Sequence, residues 1–190
     1  MKYIRTKIPD VVVCEPTIFG DDRGYFTETF RQDKLEDFLG YQIHFCQDNE
    51  SKSSYGVLRG LHYQLAPFAQ TKLVRVIHGS VLDIAVDIRE GSDTFGRHVA
   101  VELTGENKKQ LLVPRGFAHG FVVLSETATF AYKVDNYYSP ECDRGIAFND
   151  ETLAINWKLP IAKLQLSQKD TQQPSFKKAV YFDFKESLYV

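Results

Sequence analysis

Between residues 57 and 134 the chain is a succession of short apolar or alternating runs, at 73–77, 81–88, 98–103, 110–113, 120–124 and 129–134, separated by Gly, Pro, Asn and Asp. The gaps between them carry no apolar residues at helical spacing, which argues against βαβ units. Strands recurring at roughly 8–12-residue intervals with turn residues between them pack as an all-β sandwich or barrel. The flanks fit that reading. A β-branched run at 11–13 ends at Pro16, and Phe19 to Gly24 is rich in turn residues, so this part reads as strand, turn, strand. Leu35, Phe38 and Leu39 have helical spacing and Gly40 is a stop signal, which predicts a helix over 33–39. After Pro140 the pattern loosens, and 161–166 reads as one more short extended or helical piece. No repeat, linker or low-complexity segment interrupts the 190 residues, so one domain spanning 1–190 is expected.

Within this apolar frame the stretch Arg59-Gly60-Leu61-His62-Tyr63-Gln64, with Lys72 soon after, is unusually polar. Successive strand side chains alternate faces. His62 and Gln64 are therefore expected on one face, as are Lys72, Val74 and Val76, and Phe130, Tyr132 and Val134. Polar groups on faces otherwise filled by Val and Phe point into a lined cavity, and the stretch reads as the floor of an active site. Fourteen Phe and ten Tyr supply rings for lining a cavity as well as for filling a core.

A net charge of −2 gives no basic field to hold a nucleic-acid polyanion. Cys14, Cys46 and Cys142 are widely spaced, so neither a disulfide framework nor a thiolate metal site is suggested, and the count fits a reducing cytosol. The first residues lack an apolar signal region, and no run approaches the ~18 apolar residues that span a membrane. A cytoplasmic protein without a membrane or nucleic-acid partner is expected.

Cupins place a metal-binding His-x-His on one strand, a Glu seven residues before a hairpin Gly, and a later His in a Pro-x-Gly-x-x-His turn. This chain resembles that frame and departs from it. Pro114-Arg115-Gly116-Phe117-Ala118-His119 keeps the last element, but His62-Tyr63-Gln64 replaces the first, and Lys72 stands seven residues before Gly79 where the Glu would be. A divalent cation needs His or carboxylate donors, whereas an ammonium repels it. Lys72 is read as taking over the fixed positive charge, suited to stabilising a developing oxyanion. No metal and no cofactor are expected.

The resemblance then becomes closer. Phe19 to Glu28, Gln47-Asp48-Asn49-Glu50-Ser51, Leu58 to Gln64, Gln70-Thr71-Lys72-Leu73-Val74, Pro114 to Phe121, Tyr132-Lys133 with Tyr137-Tyr138, and Leu166-Ser167-Gln168-Lys169-Asp170 are similar, in order, to the dTDP-4-dehydrorhamnose 3,5-epimerase family. That resemblance implies a cupin-type jelly-roll β-barrel with short peripheral helices, homodimeric, with the N-terminal region reaching the partner subunit. It also implies a metal-free enzyme that inverts C3 and C5 of a dTDP-4-keto-6-deoxyhexose. Both carbons flank the C4 carbonyl, so loss of either proton gives an enolate with its charge on the C4 oxygen. By the resemblance, His62 is the base, Asp170 the carboxylate that orients it, Lys72 the enolate stabiliser, and Tyr132 the acid on the opposite face. An imidazole near pKa ~6.5 and a phenol near ~10 suit those roles. Arg23, Arg59 and His119 match residues that meet the diphosphate or sugar. Glu28, Gln47 and Asn49 match polar substrate contacts, Asp143 and Lys169 further contacts, and Phe26 and Tyr138 a sandwich around the thymine.

Taken singly, these residues say less. His62 alone reads as a structural histidine, Tyr132 as core, Asp170 as a helix cap or surface residue, and Arg23 as a turn residue in a surface ion pair. The blocks around them carry the assignment. His44, His78 and His98 have no motif around them and read as structural or exposed. Asp143 stands where the family usually has Glu, one methylene longer, so that contact is expected to be remodelled or lost. Phe148 replaces a common Trp, and Lys158-Leu159 separates Trp157 from Pro160. The register of the C-terminal segment, and with it the aspartate of the pair, depends on these departures. Two other readings share the same residues: a monoepimerase acting at C3 or C5 only, and a non-catalytic sugar-nucleotide-binding cupin.

Overall fold

The computed structural model describes residues 1–189. An N-terminal ribbon of β1 (Lys2–Arg5) and β2 (Val12–Glu15) leads into a hairpin of β3 (Ile18–Asp21) and β4 (Gly24–Thr27), then helix α1 (Gln32–Leu39). The central strands are β5 (Gln47–Ser54), β6 (Leu58–Gln64), β7 (Lys72–His78), β8 (Ser80–Asp87), the short β9 (Arg89–Glu90) and β10 (His98–Thr104). They continue as β11 (Gln110–Val113), β12 (Phe117–Val123), β13 (Thr127–Val134) and β14 (Asp143–Gly145). A short 3-10 turn, helix α2 (Gln168–Thr171), a second 3-10 turn and β15 (Phe182–Asp183) complete the chain.

Two antiparallel sheets face each other, one ordered β1-β2-β11-β7-β13-β5 and the other β10-β8-β12-β6-β14. This is the expected jelly roll of cupin type, with open sheet edges. Its interior is filled by Val74, Val76 and Phe130 from the first sheet and Val81, Ala85, Phe117 and Phe121 from the second. The second sheet is also covered outside, where Leu82, Ile84, Val86 and Val122 meet Ile146, Trp157, Phe176 and Phe182 of the C-terminal segment. Burial on both faces explains why residues 81–88, apart from Asp83 and Asp87, are apolar instead of alternating. The first sheet is covered only in part, by Leu35 of α1 and Ile43 packing on Val12, Leu73 and Leu112.

Helix α1 ends where expected: Gly40 adopts φ 81° and its N–H bonds to the Glu36 carbonyl, a left-handed cap that glycine takes without strain. Two features depart from the sequence reading. β5 has the sequence Gln-Asp-Asn-Glu-Ser-Lys-Ser-Ser, with none of the residues that favour strands, yet it pairs over its full length with β13. It lies at the sheet edge, where polar and charged residues are the rule because they discourage further pairing. β12 starts at Phe117, so His119 belongs to a strand and not to the preceding turn.

Candidate active site

A cavity of about 660 Å³ opens between the two sheets. One wall is built by β6 and β12, which contribute Arg59, His62 and His119; the other by β7, β13 and β5, which contribute Lys72, Tyr132 and Asn49. Lys72 pairs with Val134, two residues from Tyr132, so ammonium and phenol are same-face neighbours on adjacent strands. On the facing sheet, His62 of β6 pairs directly with His119 of the neighbouring strand β12. The C-terminal segment closes the rim through Gln165, Ser167, Lys169 and Asp170.

Regular alternation would put Arg59 and His62, three residues apart, on opposite faces. A bulge prevents this. Between the pairs His119 with His62 and Phe121 with Arg59, β6 spends one residue more than β12, and such an extra residue re-aims side chains. Gly60 makes room for it: φ is 130°, and a Cβ there would lie 2.5 Å from Gly120 Cα. The expectation for Gln64 is corrected. Its side chain leaves the cavity, donates to the Phe68 and Tyr137 carbonyls and accepts from the Ser139 N–H, bracing two loops.

His62 Nε2 approaches Asp170 Oδ1 at 2.6 Å. Nε2 is the ring nitrogen beside the carboxylate, and His62 Nδ1 is buried without a hydrogen-bond partner. Asp170 is only 5% exposed. Ser167 caps α2 by accepting from the Asp170 N–H, and its hydroxyl donates to Asp170 Oδ2 at 2.6 Å. Burial works to raise the Asp170 pKa, but His62 and Ser167 outweigh it and hold the carboxyl below its usual range.

Burial lowers the Lys72 pKa to about 8, against the opposing pull of Asp143 and Asp83. The strand ends beside it are pinned: Asp135 accepts from the Thr71 N–H and from Arg115, while the Tyr189 hydroxyl bonds to Thr71 and to the Arg115 N–H. Burial raises the Tyr132 pKa, opposed by Arg59, so the phenol keeps its proton at neutral pH.

The structure therefore gathers Asn49, Arg59, His62, Lys72, His119, Tyr132, Lys169 and Asp170 around one cavity. Gln47 stands behind it, donating to Asn49. Asp143 and Tyr138 stand at its edge, where the Tyr138 hydroxyl donates to Asp143 at 3.0 Å and Lys169 forms an ion pair with the same carboxylate. Asp143 is thus engaged by its neighbours Tyr138 and Lys169. Arg23, Phe26 and Glu28 are not brought to this cavity. The first two sit on the β3–β4 hairpin, where Phe26 is 69% exposed and Arg23 pairs with Asp21, and Glu28 is exposed just beyond it. Sequence reasoning missed Asp83, a fully buried carboxylate hydrogen-bonded to His119. Its signal was a charge in the middle of the otherwise apolar stretch 81–86, four residues before Asp87. Among the described residues no three His, Cys, Asp or Glu side chains cluster as metal ligands, and no helix is long and apolar enough to cross a membrane.

The family model for dTDP-4-dehydrorhamnose 3,5-epimerase matches residues 5–178. The chain belongs to this family. The dTDP-4-dehydrorhamnose 3,5-epimerase of Escherichia coli (strain K12) is 56% identical over 170 residues, 90% of this chain and 91% of that protein. That of Shigella flexneri is 53% identical over 182 residues, covering 96% and 99%. The crystal structure of the 3,5-epimerase from Legionella pneumophila Philadelphia 1, in complex with dTDP-4-keto-L-rhamnose, superposes with a TM-score of 0.93 at 47% identity, covering 97% of this chain and 99% of that one. The two-sheet architecture is thus that of the 3,5-epimerase family, and coverage is nearly complete in both directions.

Proposed function

We propose that this protein is an isomerase that inverts C3 and C5 of dTDP-4-dehydro-6-deoxy-D-glucose, giving dTDP-4-dehydro-L-rhamnose for surface-polysaccharide precursors. The observation that carries the reading is the placement of His62 and Tyr132 on opposite sheets across one cavity, with Lys72 beside Tyr132. An α-keto proton leaves to His62, the electron pair of the C–H bond moves to the C4 oxygen, and the Lys72 ammonium stabilises the enolate. Tyr132 then delivers its proton to the other face of the carbon. The imidazolium and phenolate left behind return to their starting states by proton exchange with solvent. Asp170 stabilises the imidazolium, and Arg59, with its guanidinium in the wall, suits a diphosphate or sugar oxygen.

We further propose a cytoplasmic homodimer. Ile18, Phe19, Tyr25 and Phe26 expose an apolar hairpin, which supports contact with a second copy and delivery of Arg23, Phe26 and Glu28 to that copy's cavity. The three free cysteines fit a reducing compartment. The test is incubation with dTDP-4-dehydro-6-deoxy-D-glucose in deuterated water, followed by NMR. Exchange at both C3 and C5 is expected; exchange at one carbon selects a monoepimerase, and none at either refutes the reading.

A further inference from the structure

Asp83 lies near the middle of β8, its side chain in the jelly-roll interior beside Val81 and Ala85, and is 0% exposed. An isolated carboxylate in such a place is strongly unfavourable unless a partner compensates it. His119 is that partner: Nε2 stands 2.9 Å from one Asp83 oxygen and 3.0 Å from the other. Near-equal distances fit an N–H shared between the two oxygens of an anion, since a proton on either oxygen would favour an unequal approach. The arrangement puts a hydrogen on Nε2 and leaves Nδ1 as the ring atom that can meet a bound molecule, because His119 also lines the cavity. Lys72 lines the same cavity as His119, which brings the Asp83 carboxylate behind that histidine into its surroundings.

We infer that Asp83 is a positioning residue of the epimerase, fixing the proton of His119 on Nε2 and supplying the buried anion that keeps Lys72 an ammonium. The inference rests on the epimerase reading above and adds to it a residue that touches no substrate. Lys72 needs this help because its burial lowers its pKa to about 8, close to working pH. The anions acting on it are Asp83 from β8 and Asp143 from β14. Asp143 is already engaged by Lys169 and Tyr138, which leaves Asp83 as the counter-charge within the interior. The other charged or titratable groups around the cavity are Glu50 of β5, Arg59 and His62 of β6, His119 of β12, Tyr132 of β13, and Lys169 and Asp170 of α2. Asp170 is held by His62, and burial raises the pKa of Asp83 itself, against the pull of His119 and Lys72.

The substitution that separates charge from shape is Asp83→Asn, whose amide oxygen can still accept from His119. It is expected to lower kcat by roughly 10- to 100-fold, by analogy with the loss when an orienting partner behind a ligand is removed. The alkaline limb of the rate profile should move down by about one pH unit, the lower end of what a nearby opposite charge contributes. A merely structural role would not move that limb. Two readouts need no turnover: the titration of the Lys72 side chain in isotope-labelled protein, expected to shift down in the variant, and the ¹⁵N spectrum of His119 in the unaltered protein, expected to show a protonated Nε2. An Nδ1–H tautomer in that spectrum overturns the inference, even if the variant fails to fold. So does a folded variant with unchanged rate, limb and Lys72 titration. Failure of the unaltered protein to exchange C3 or C5 would instead strike the epimerase reading, leaving these spectra interpretable.

Discussion

Replacing Asp170 by Asn tests the histidine–aspartate pair most directly. When His62 takes a proton it becomes an imidazolium whose Nε2 lies 2.6 Å from Asp170 Oδ1. With charge centres ~4 Å apart and an effective dielectric of about 20, the carboxylate stabilises that cation by ~4 kcal/mol. Asn keeps the shape and removes the charge, so proton abstraction should slow about 10³-fold. The fold should suffer little, because α2 is a short peripheral helix still capped by Ser167; a loss of about 1 kcal/mol lowers the melting temperature by roughly 2–4 °C for a chain of this size. The assay is the initial rate of deuterium incorporation at C3 and C5, measured on variant and parent at several pH values between 6 and 8. Because the carboxyl of Asp170 is held below its usual range, it stays ionised throughout that window, and the deficit should not depend on its titration. A variant that melts like the parent yet exchanges within tenfold of its rate would refute the reasoning.

Tyr132→Phe should retain proton loss while slowing epimer formation, so the ratio of exchange to product rises; unchanged product formation removes the phenol from the donor role. Lys72 makes activity and stability respond oppositely to alkali. The rate should fall as pH rises through about 8, where the ammonium is lost. Between that value and the unfolded pKa of ~10.4 the unfolded chain binds more protons than the folded one, so the contribution of Lys72 to stability rises with pH. Parallel rate and urea-denaturation series, with Lys72→Met as reference, check both signs. Gly60→Ala adds a Cβ 2.5 Å from Gly120 Cα and 2.9 Å from the His119 carbonyl oxygen at φ 130°. Backbone strain of about 1–3 kcal/mol and overpacking of about 1–3 kcal/mol should lower the melting temperature by roughly 5–20 °C. A calorimetric scan within a degree of the parent would show that the two strands do not need this approach.

Much of the fold was legible because burial leaves a direct trace in the strands: apolar runs bounded by turn residues marked the central strands, and Gly40 marked the helix end. β5 left no such trace, since an edge strand is held by backbone pairing to β13 and need not be apolar. For the site, strand parity gave the faces of Lys72 and Tyr132, but their roles and that of Asp170 came from the blocks of family resemblance, because no local pattern links Asp170 to a histidine over a hundred residues away. Parity misplaced Arg59 because β6 is bulged between Arg59 and His62, whereas Gln64, on a regularly paired stretch, went astray because its amide is held by backbone groups of two loops. The hairpin carrying Arg23 and Phe26 is a different matter, because it is exposed and lies away from the cavity, and only the proposed homodimer would give its residues a site to meet.

The bulge also limits how portable this site is. A regular strand offers one cavity only every second side chain, so the segment Arg59 to His62, grafted onto an unbulged strand, would aim either the guanidinium or the imidazole outward. A transplanted site must bring the bare backbone of Gly60 and its facing Gly120 with it. Two residues without side chains are therefore part of the specification for two residues whose side chains matter, and a search for this arrangement in other jelly rolls should look for the glycine pair first.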